Sequence, residues 1–210
     1  MWSYEKRLQF PVNIKEPNAK LAQVIISQYG GPDGEMGASM RYLSQRYSMP
    51  FKEVAGLLTD IGTEELGHLE MVATIVHQLT RDLTMEEIEN SGLGPYYIDH
   101  TVGVWPQAAG GVPFNACEFQ SKGDPITDLF EDLAAEQKAR STYDNILRVV
   151  RNIPEVADPI RFLRAREVVH FQRFGEALRS IQEQLDAKNF YAFNPGFDNP
   201  CSASCAPEAK

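Results

Sequence analysis

Residues 60–71 read DIGTEELGHLEM, and the placing of one carboxylate and one imidazole in this run decides the fold. Around it Val54, Leu57, Leu58, Ile61, Leu69, Val72, Ile75, Val76 and Leu79 fall on steps of three and four. That spacing is one stripe of a 3.6-residue helix. Glu65 and His68 lie in the same stripe, three residues apart, so both project side by side from the apolar face. A buried, unpaired carboxylate is very costly, and something in the interior must neutralise it.

The pattern returns at REVVH, residues 166–170, where Glu167 and His170 share a stripe with Ile160, Leu163, Phe174, Leu178, Ile181 and Leu185. Two further inward carboxylates complete the set. Glu35 opens a helix expected to run to about Tyr47, and Glu136 sits among Ile126, Leu129, Leu133, Tyr143, Leu147 and Val150 on a third long helix. The boundaries are marked by caps and breakers. Asn18 caps an early helix that GGPDG (residues 30–34) interrupts. Ser48 and Pro50 open the second helix with Pro just inside the first turn, Asp124-Pro125 open the third, and Asp158-Pro159 open the fourth. Between residues 81 and 123 the helical pattern lapses into a Gly- and Pro-rich stretch, read as a long ordered crossover with one short helix at 85–90. Short loops within pairs and one long connection between pairs predict an all-α, ferritin-like four-helix bundle. The expected organisation is a single dimetal domain over 1–190 and an irregular tail over 191–210.

Composition narrows the function. The 210 residues are 43% apolar and 23% charged, which excludes wholesale disorder. A net charge of -9, from 29 acidic against 20 basic residues, argues against a nucleic-acid or anionic-membrane footprint. No apolar run reaches the roughly 18 residues of a spanning helix. The opening MWSYEKRLQF has no apolar core of a secretory signal, and three cysteines are too few for a disulfide framework. A soluble, intracellular protein is expected, with neither nucleic acid nor membrane as partner.

A Glu from each of two helices plus a Glu-x-x-His from each of two others is the ligand set of carboxylate-bridged dimetal proteins. Four carboxylates and two imidazoles suit manganese or iron better than copper(I) or an iron–sulfur cluster. Two divalent cations carry the charge that four buried carboxylates require.

GGPDGE ending at Glu35, RYLSQRY around Tyr42, DIGTEELGHLEM and REVVH resemble the manganese catalases, in particular their short spore-coat CotJC-type branch. There the likeness extends from MWSYEKRLQFPV through AAGGVPF and KGDPITDLFEDLAAEQKAR, over most of the chain. The resemblance implies hydrogen peroxide as substrate and two manganese ions per chain, with iron the alternative. Glu35, Glu65 and His68 would bind one ion, and Glu136 and His170 the other, with Glu65 bridging. Glu167 would be a weak ligand or a proton acceptor beside the second ion. Tyr42 would donate toward the bridge region, its other reading being a core aromatic with a buried hydroxyl. A homohexamer, contact with other spore coat proteins, and a cytoplasmic or spore-coat location are implied in the same way. Two departures stand out. Ala135 replaces an Arg that larger enzymes carry before the third-helix Glu, so slower turnover is expected; and the chain stops at Lys210 without their long C-terminal extension, so no structural calcium is expected.

The remaining candidates have plainer readings. His77 is expected on the surface, His100 in a structural role beside Asp99, and Cys117 buried as a small apolar residue. Cys201 and Cys205 lack partners for a zinc site, and Arg140, Arg164 and Arg166 read as solvated or inter-helix charges. Beside a catalase, the residues leave open a structural coat protein with a non-catalytic metal site and a di-iron oxidase of the same fold.

Overall fold

Helices α1 (Ala19–Ile25), α2 (Ser27–Gly30), α3 (Glu35–Gln45) and α4 (Lys52–Thr80) lead into α5 (Met85–Ser91) and α6 (Gly94–His100). A short 3-10 turn (Ala116–Phe119) follows, then α7 (Pro125–Val150) and α8 (Pro154–Lys188). The computed structural model describes residues 3–188; the expected tail, with Cys201 and Cys205, lies outside the described residues. α3 packs on α4 and α7 on α8, and the two hairpins meet through α4 against α8 and α3 against α7. This is the expected all-helical bundle with one long crossover, and among the described residues the sole β feature is an isolated bridge between Gln107 and Pro113. No described helix is long and apolar enough to cross a membrane.

Local chemistry sets most boundaries as expected. The Asn18 side chain accepts from Leu21 N–H at 3.1 Å, and Asp124 accepts from Thr127 N–H at 2.8 Å with Pro125 just inside α7. Thr84 and Glu87 form a reciprocal capping box on α5. Two proline readings need correction. Pro50 lies outside α4, whose cap is Phe51, a residue with no side-chain cap bond. The fourth helix begins at Pro154, where Ile153 C=O accepts from Ala157 N–H at 2.8 Å, so Pro159 sits inside α8. There, in the second turn, it forgoes a bond to the carbonyl one turn back. α6 and the 3-10 turn were not expected in the crossover. Cys117 is exposed, because that turn lies on the surface and buries none of its residues.

Two glycines permit close approaches. A Cβ on Gly30 would lie 2.3 Å from the Gln107 nitrogen, so the crossover lies directly on the end of α2. A Cβ on Gly62 would lie 2.9 Å from Leu43, which sets the spacing of α3 and α4. The crossover is pinned elsewhere by the Tyr96 hydroxyl, which donates to Gly103 C=O and accepts from Trp105 N–H, and by His100 stacked on Trp105 at 4.3 Å.

The core is divided into two apolar layers. One gathers Met71, Val72, Ile75, Leu79, Tyr143, Val150, Ile160 and Leu163 beneath α1. The other gathers Tyr42, Val54, Leu58, Ile61, Leu129, Phe174, Leu178 and Ile181. Between them, at mid-height on α4, α7 and α8, runs a band of charged side chains.

Candidate metal centre

All six expected side chains are buried: Glu65, His68 and His170 at 0% exposure, Glu136 at 1%, Glu35 and Glu167 at 2%. Glu65 lies at their middle. One of its oxygens is 2.6 Å from His68 Nδ1, and the other is 2.7 Å from His170 Nδ1. Glu35 stands 3.8 Å from His68 Nδ1, and Glu136 stands 3.6 Å from His170 Nδ1. The two imidazoles lie nearly parallel, 5.5 Å apart. Glu65, His68, Glu167 and His170 each bring one donor atom within 4.8 Å of all the others.

The donor atoms converge without satisfying one another. Glu65 Oε1, Glu136 Oε2, Glu167 Oε1 and His170 Nδ1 are fully buried and have no hydrogen-bond partner. The 2.7 Å approach of His170 to Glu65 lacks hydrogen-bond geometry. Buried polar atoms are normally paired, and orphans clustered this way are what a shared cation would satisfy. An all-carboxylate and imidazole set of this kind fits a pair of divalent manganese or iron ions.

Electrostatics give the same reading. Burial alone would raise the Glu65 carboxyl, yet the charges of His68 and His170 outweigh it and hold the group below the usual carboxylate range. Burial alone would lower the imidazoles, yet the carboxylates, Glu65 foremost, raise His68 to about 10 and His170 to about 12. Glu35 and Glu167 are pushed well up, first by burial and then by neighbouring carboxylates. Burial raises Glu136 as well, against the opposing bond to His170. The cluster therefore draws positive charge from whatever source is present.

Around this set is a shell that was only partly expected. Tyr42 donates to Glu136 Oε1 at 2.5 Å, so its hydroxyl is bonded to a candidate ligand rather than merely buried. Tyr143, read as a core residue alone, donates in the same way to Glu35. Glu64 was not singled out, and it stands 3.6 Å from His68 Nε2 and 3.2 Å from His170 Nε2. Arg166 grips Glu64 with two bonds, of 2.7 and 3.1 Å, so one carboxylate on a fixed guanidinium faces both outer imidazole nitrogens. Arg164 of α8 reaches Asp144 of α7, an inter-helix contact of the kind expected, whereas Arg140 holds the same Asp144 within α7, and His77 is exposed. Ala135 leaves no charge at its own position, yet it lines a narrow cleft between α3 and α7 together with Tyr42, Glu167 and the buried Arg41, whose guanidinium is held by the carbonyls of Phe119 and Glu118. The signal for Glu64 and Arg166 was present in sequence, since each immediately precedes the Glu of a Glu-x-x-His.

Comparison with known proteins agrees with this geometry. A family model described as manganese containing catalase matches residues 1–192. Protein CotJC of Bacillus subtilis is 51% identical over 191 residues, covering 91% of this chain and 100% of the relative. A probable manganese catalase of Clostridium acetobutylicum is 32% identical, covering 90% and 85% of the two chains. The crystal structure of KatB, a manganese catalase from Anabaena PCC7120, superposes with a TM-score of 0.79 at 29% identity, over 86% of this chain and 81% of that one.

Proposed function

The chain belongs to the manganese-containing catalase family, and from that premise we propose that it disproportionates hydrogen peroxide to water and oxygen at a dimanganese centre. The observation that carries the reading is the cluster of orphaned, fully buried donors around Glu65. Glu35, Glu65 and His68 would hold one ion, Glu136 and His170 the other, with Glu65 shared. The manganese pair, when bound, supplies the two electrons that successive peroxide molecules give and take.

The chain's own residues do the rest. Glu65 sets the spacing of the two halves, because its two oxygens reach the Nδ1 atoms of both imidazoles. Glu64, fixed by Arg166, sets a negative charge beside each Nε2, on the side of the rings away from the inward Nδ1 atoms. Tyr42 and Tyr143 hold one oxygen of Glu136 and of Glu35, leaving the other oxygen of each carboxylate free for a cation. Glu167, whose Oε1 is buried and unpartnered, also lines the cleft between α3 and α7, and it takes and returns the proton that peroxide and water exchange. The two apolar layers above and below keep water from the band.

We further propose that the activity serves a spore coat, with the chain as a self-associating component, a reading supported by the 51% likeness to CotJC over that protein's whole length. The donor set serves iron as well as manganese, so the deciding experiment is metal analysis of native protein paired with oxygen evolution. Two manganese per chain with oxygen released is the expected result. Two metals without oxygen would leave a structural coat protein, and two irons with oxygen consumed would leave an oxidase.

A further inference from the structure

Three carboxylates stand one turn apart on one face of α7, and all three are buried: Asp128, Asp132 and Glu136. The outer and inner members are committed. Asp128 accepts from the N–H groups of Lys122 and Gly123 at 2.7 and 2.9 Å, which closes the column toward the surface. Glu136 belongs to the candidate centre and accepts from the Tyr42 hydroxyl. Asp132, between them, is fully buried, with no hydrogen-bond partner on either oxygen. From α3, Gln45 faces it with both amide atoms buried and unpartnered, and Arg41 bears on it through charge while its guanidinium is held by the carbonyls of Glu118 and Phe119. A bare ionised carboxylate in such a place is very costly, whereas an acid that exchanges its charge for a proton is not.

We propose that Asp132 stores a proton for the centre, acting through the Tyr42 hydroxyl as the partner of Glu167. The proposal rests on the catalase reading for the reaction that uses the proton. Oxidation of one peroxide to oxygen breaks two O–H bonds and gives up two electrons and two protons. Reduction of the next to two waters breaks the O–O bond and takes both pairs back, the electrons having been held by the metals. One proton has its place on Glu167, and the second needs another acid. No proton is gained or lost over the whole cycle, so a closed store suffices, and Asp128 closes this one. Burial pushes the Asp132 carboxyl well up, with Asp128 and Glu136 adding to it and Gln45 and Arg41 opposing. That moves the acid toward the range in which it both gives and takes a proton. The Tyr42 hydroxyl is the link, because it lines the cleft beside Glu167 and lies in the field of Asp132. Burial, then the charges of Glu136 and Asp132, keep its own proton on, so it hands protons across without staying ionised.

The test reads the proton itself. In the metal-loaded full chain, infrared difference spectra between chemically reduced and oxidised metal should show the carbonyl band of protonated carboxylic acid in the reduced state. Asp132→Asn should remove about half of that band, Glu167 carrying the rest, and should slow oxygen evolution at least about tenfold with metal per chain unchanged. Because that substitution alters a buried group, Tyr42→Phe accompanies it and leaves Asp132 in place. It should keep the size of the band and slow its appearance at least about tenfold. A band untouched by Asp132→Asn would overturn the store, whatever the rate of oxygen evolution, and growth at the parent rate in Tyr42→Phe would overturn the link. A band halved by Asp132→Asn in a chain that evolves no oxygen would uphold the store and remove only the catalase reading. A chain that takes up no metal would overturn both.

Discussion

The two hairpins carry the same marks at the same spacing. Glu35 and Tyr42 on α3 correspond to Glu136 and Tyr143 on α7, and Glu65 and His68 on α4 correspond to Glu167 and His170 on α8. The tyrosines are exchanged: each donates to the carboxylate of the opposite hairpin, so neither half can complete its own ligand support. Equivalence of spacing does not become equivalence of role. Glu65 contacts both imidazoles, whereas Glu167 lines the cleft between α3 and α7. The residues ahead of them differ in sign, Glu64 in one hairpin and Arg166 in the other, and they pair with each other. On the proposed function, a near-twofold arrangement of donors would hold one structural carboxylate and one available to chemistry.

The sharpest way to break this comparison is the same substitution in both halves. Glu65→Gln should empty both metal positions and cost on the order of 3–5 kcal/mol, because it leaves two buried imidazoles without their shared counter-charge. Glu167→Gln keeps shape and one acceptor oxygen but cannot take a proton, so it should retain both metals and lose roughly 10²–10⁴ in turnover. Metal per chain, thermal unfolding and oxygen evolution on the two variants separate these roles. Equal metal loss in both would mean that the hairpins are equivalent after all.

Exchange of the paired charges probes the same symmetry more gently. Glu64→Gln should weaken metal binding by about 10–100-fold, since the carboxylate that orients both imidazoles is lost. The double exchange Glu64→Arg with Arg166→Glu should recover most of that loss, because position 166 bears the same relation to His170 that position 64 bears to His68. Metal affinity by competition with a chelator gives the answer. Persistence of the single-variant defect in the exchange would confine the equivalence to sequence spacing.

Much of this site was legible in sequence because its residues break a rule that is easy to see. Glu65, His68, Glu136, Glu167 and His170 interrupt apolar stripes, and a charge on a buried face is conspicuous in a 3.6-residue period. Tyr143 breaks no rule, since a tyrosine in a stripe is an ordinary core residue until its hydroxyl is placed, and its bond to Glu35 depends on tertiary contact. Glu64 and Arg166 sit one step off the stripe, where solvated charge is the usual reading. The bundle itself followed from caps and breakers, and the errors came where proline signals compete. Asp158-Pro159 has the form of a helix start, but Ile153-Pro154 takes that place a turn and a half earlier, within the tight turn after α7. In the crossover, α6 and the 3-10 turn are too short for periodicity to register, and their positions are fixed by single contacts such as Tyr96 with Gly103.

The exchanged tyrosines allow a finer comparison. Tyr42→Phe and Tyr143→Phe each remove one buried hydroxyl and leave a carboxylate oxygen unpaired, a loss of about 1–2 kcal/mol in either case. Turnover should distinguish them, because Tyr42 also lines the cleft between α3 and α7 while Tyr143 does not. Oxygen evolution should fall several-fold more in Tyr42→Phe than in Tyr143→Phe at similar unfolding temperatures. Matched losses of activity would show that the cleft side of the centre has no special part.

The smallest effect concerns a carboxylate that only one hairpin has. Asp132 lies one turn before Glu136 on α7, fully buried, with neither oxygen hydrogen-bonded; the corresponding place before Glu35 is Gly31, ahead of the helix. Burial raises the Asp132 carboxyl well above its ordinary range, against the opposing influence of Gln45 and Arg41. A group whose pKa is raised on folding contributes stability fully below its unfolded value, near 3.8, and loses it as pH rises through the folded value. At neutral pH and above, this acid therefore opposes folding. Asp132→Asn keeps the shape, removes the ionisation, and should raise stability on the order of 1 kcal/mol at pH 8, about 2–4 °C in Tm. The gain should shrink toward pH 4, where the parent carboxyl is protonated as well. Thermal unfolding of the metal-loaded protein across that range is the measurement. A variant less stable than the parent at pH 8 would mean that α7 keeps Asp132 ionised and bonded, with a counterpart to its charge that the first hairpin does not need.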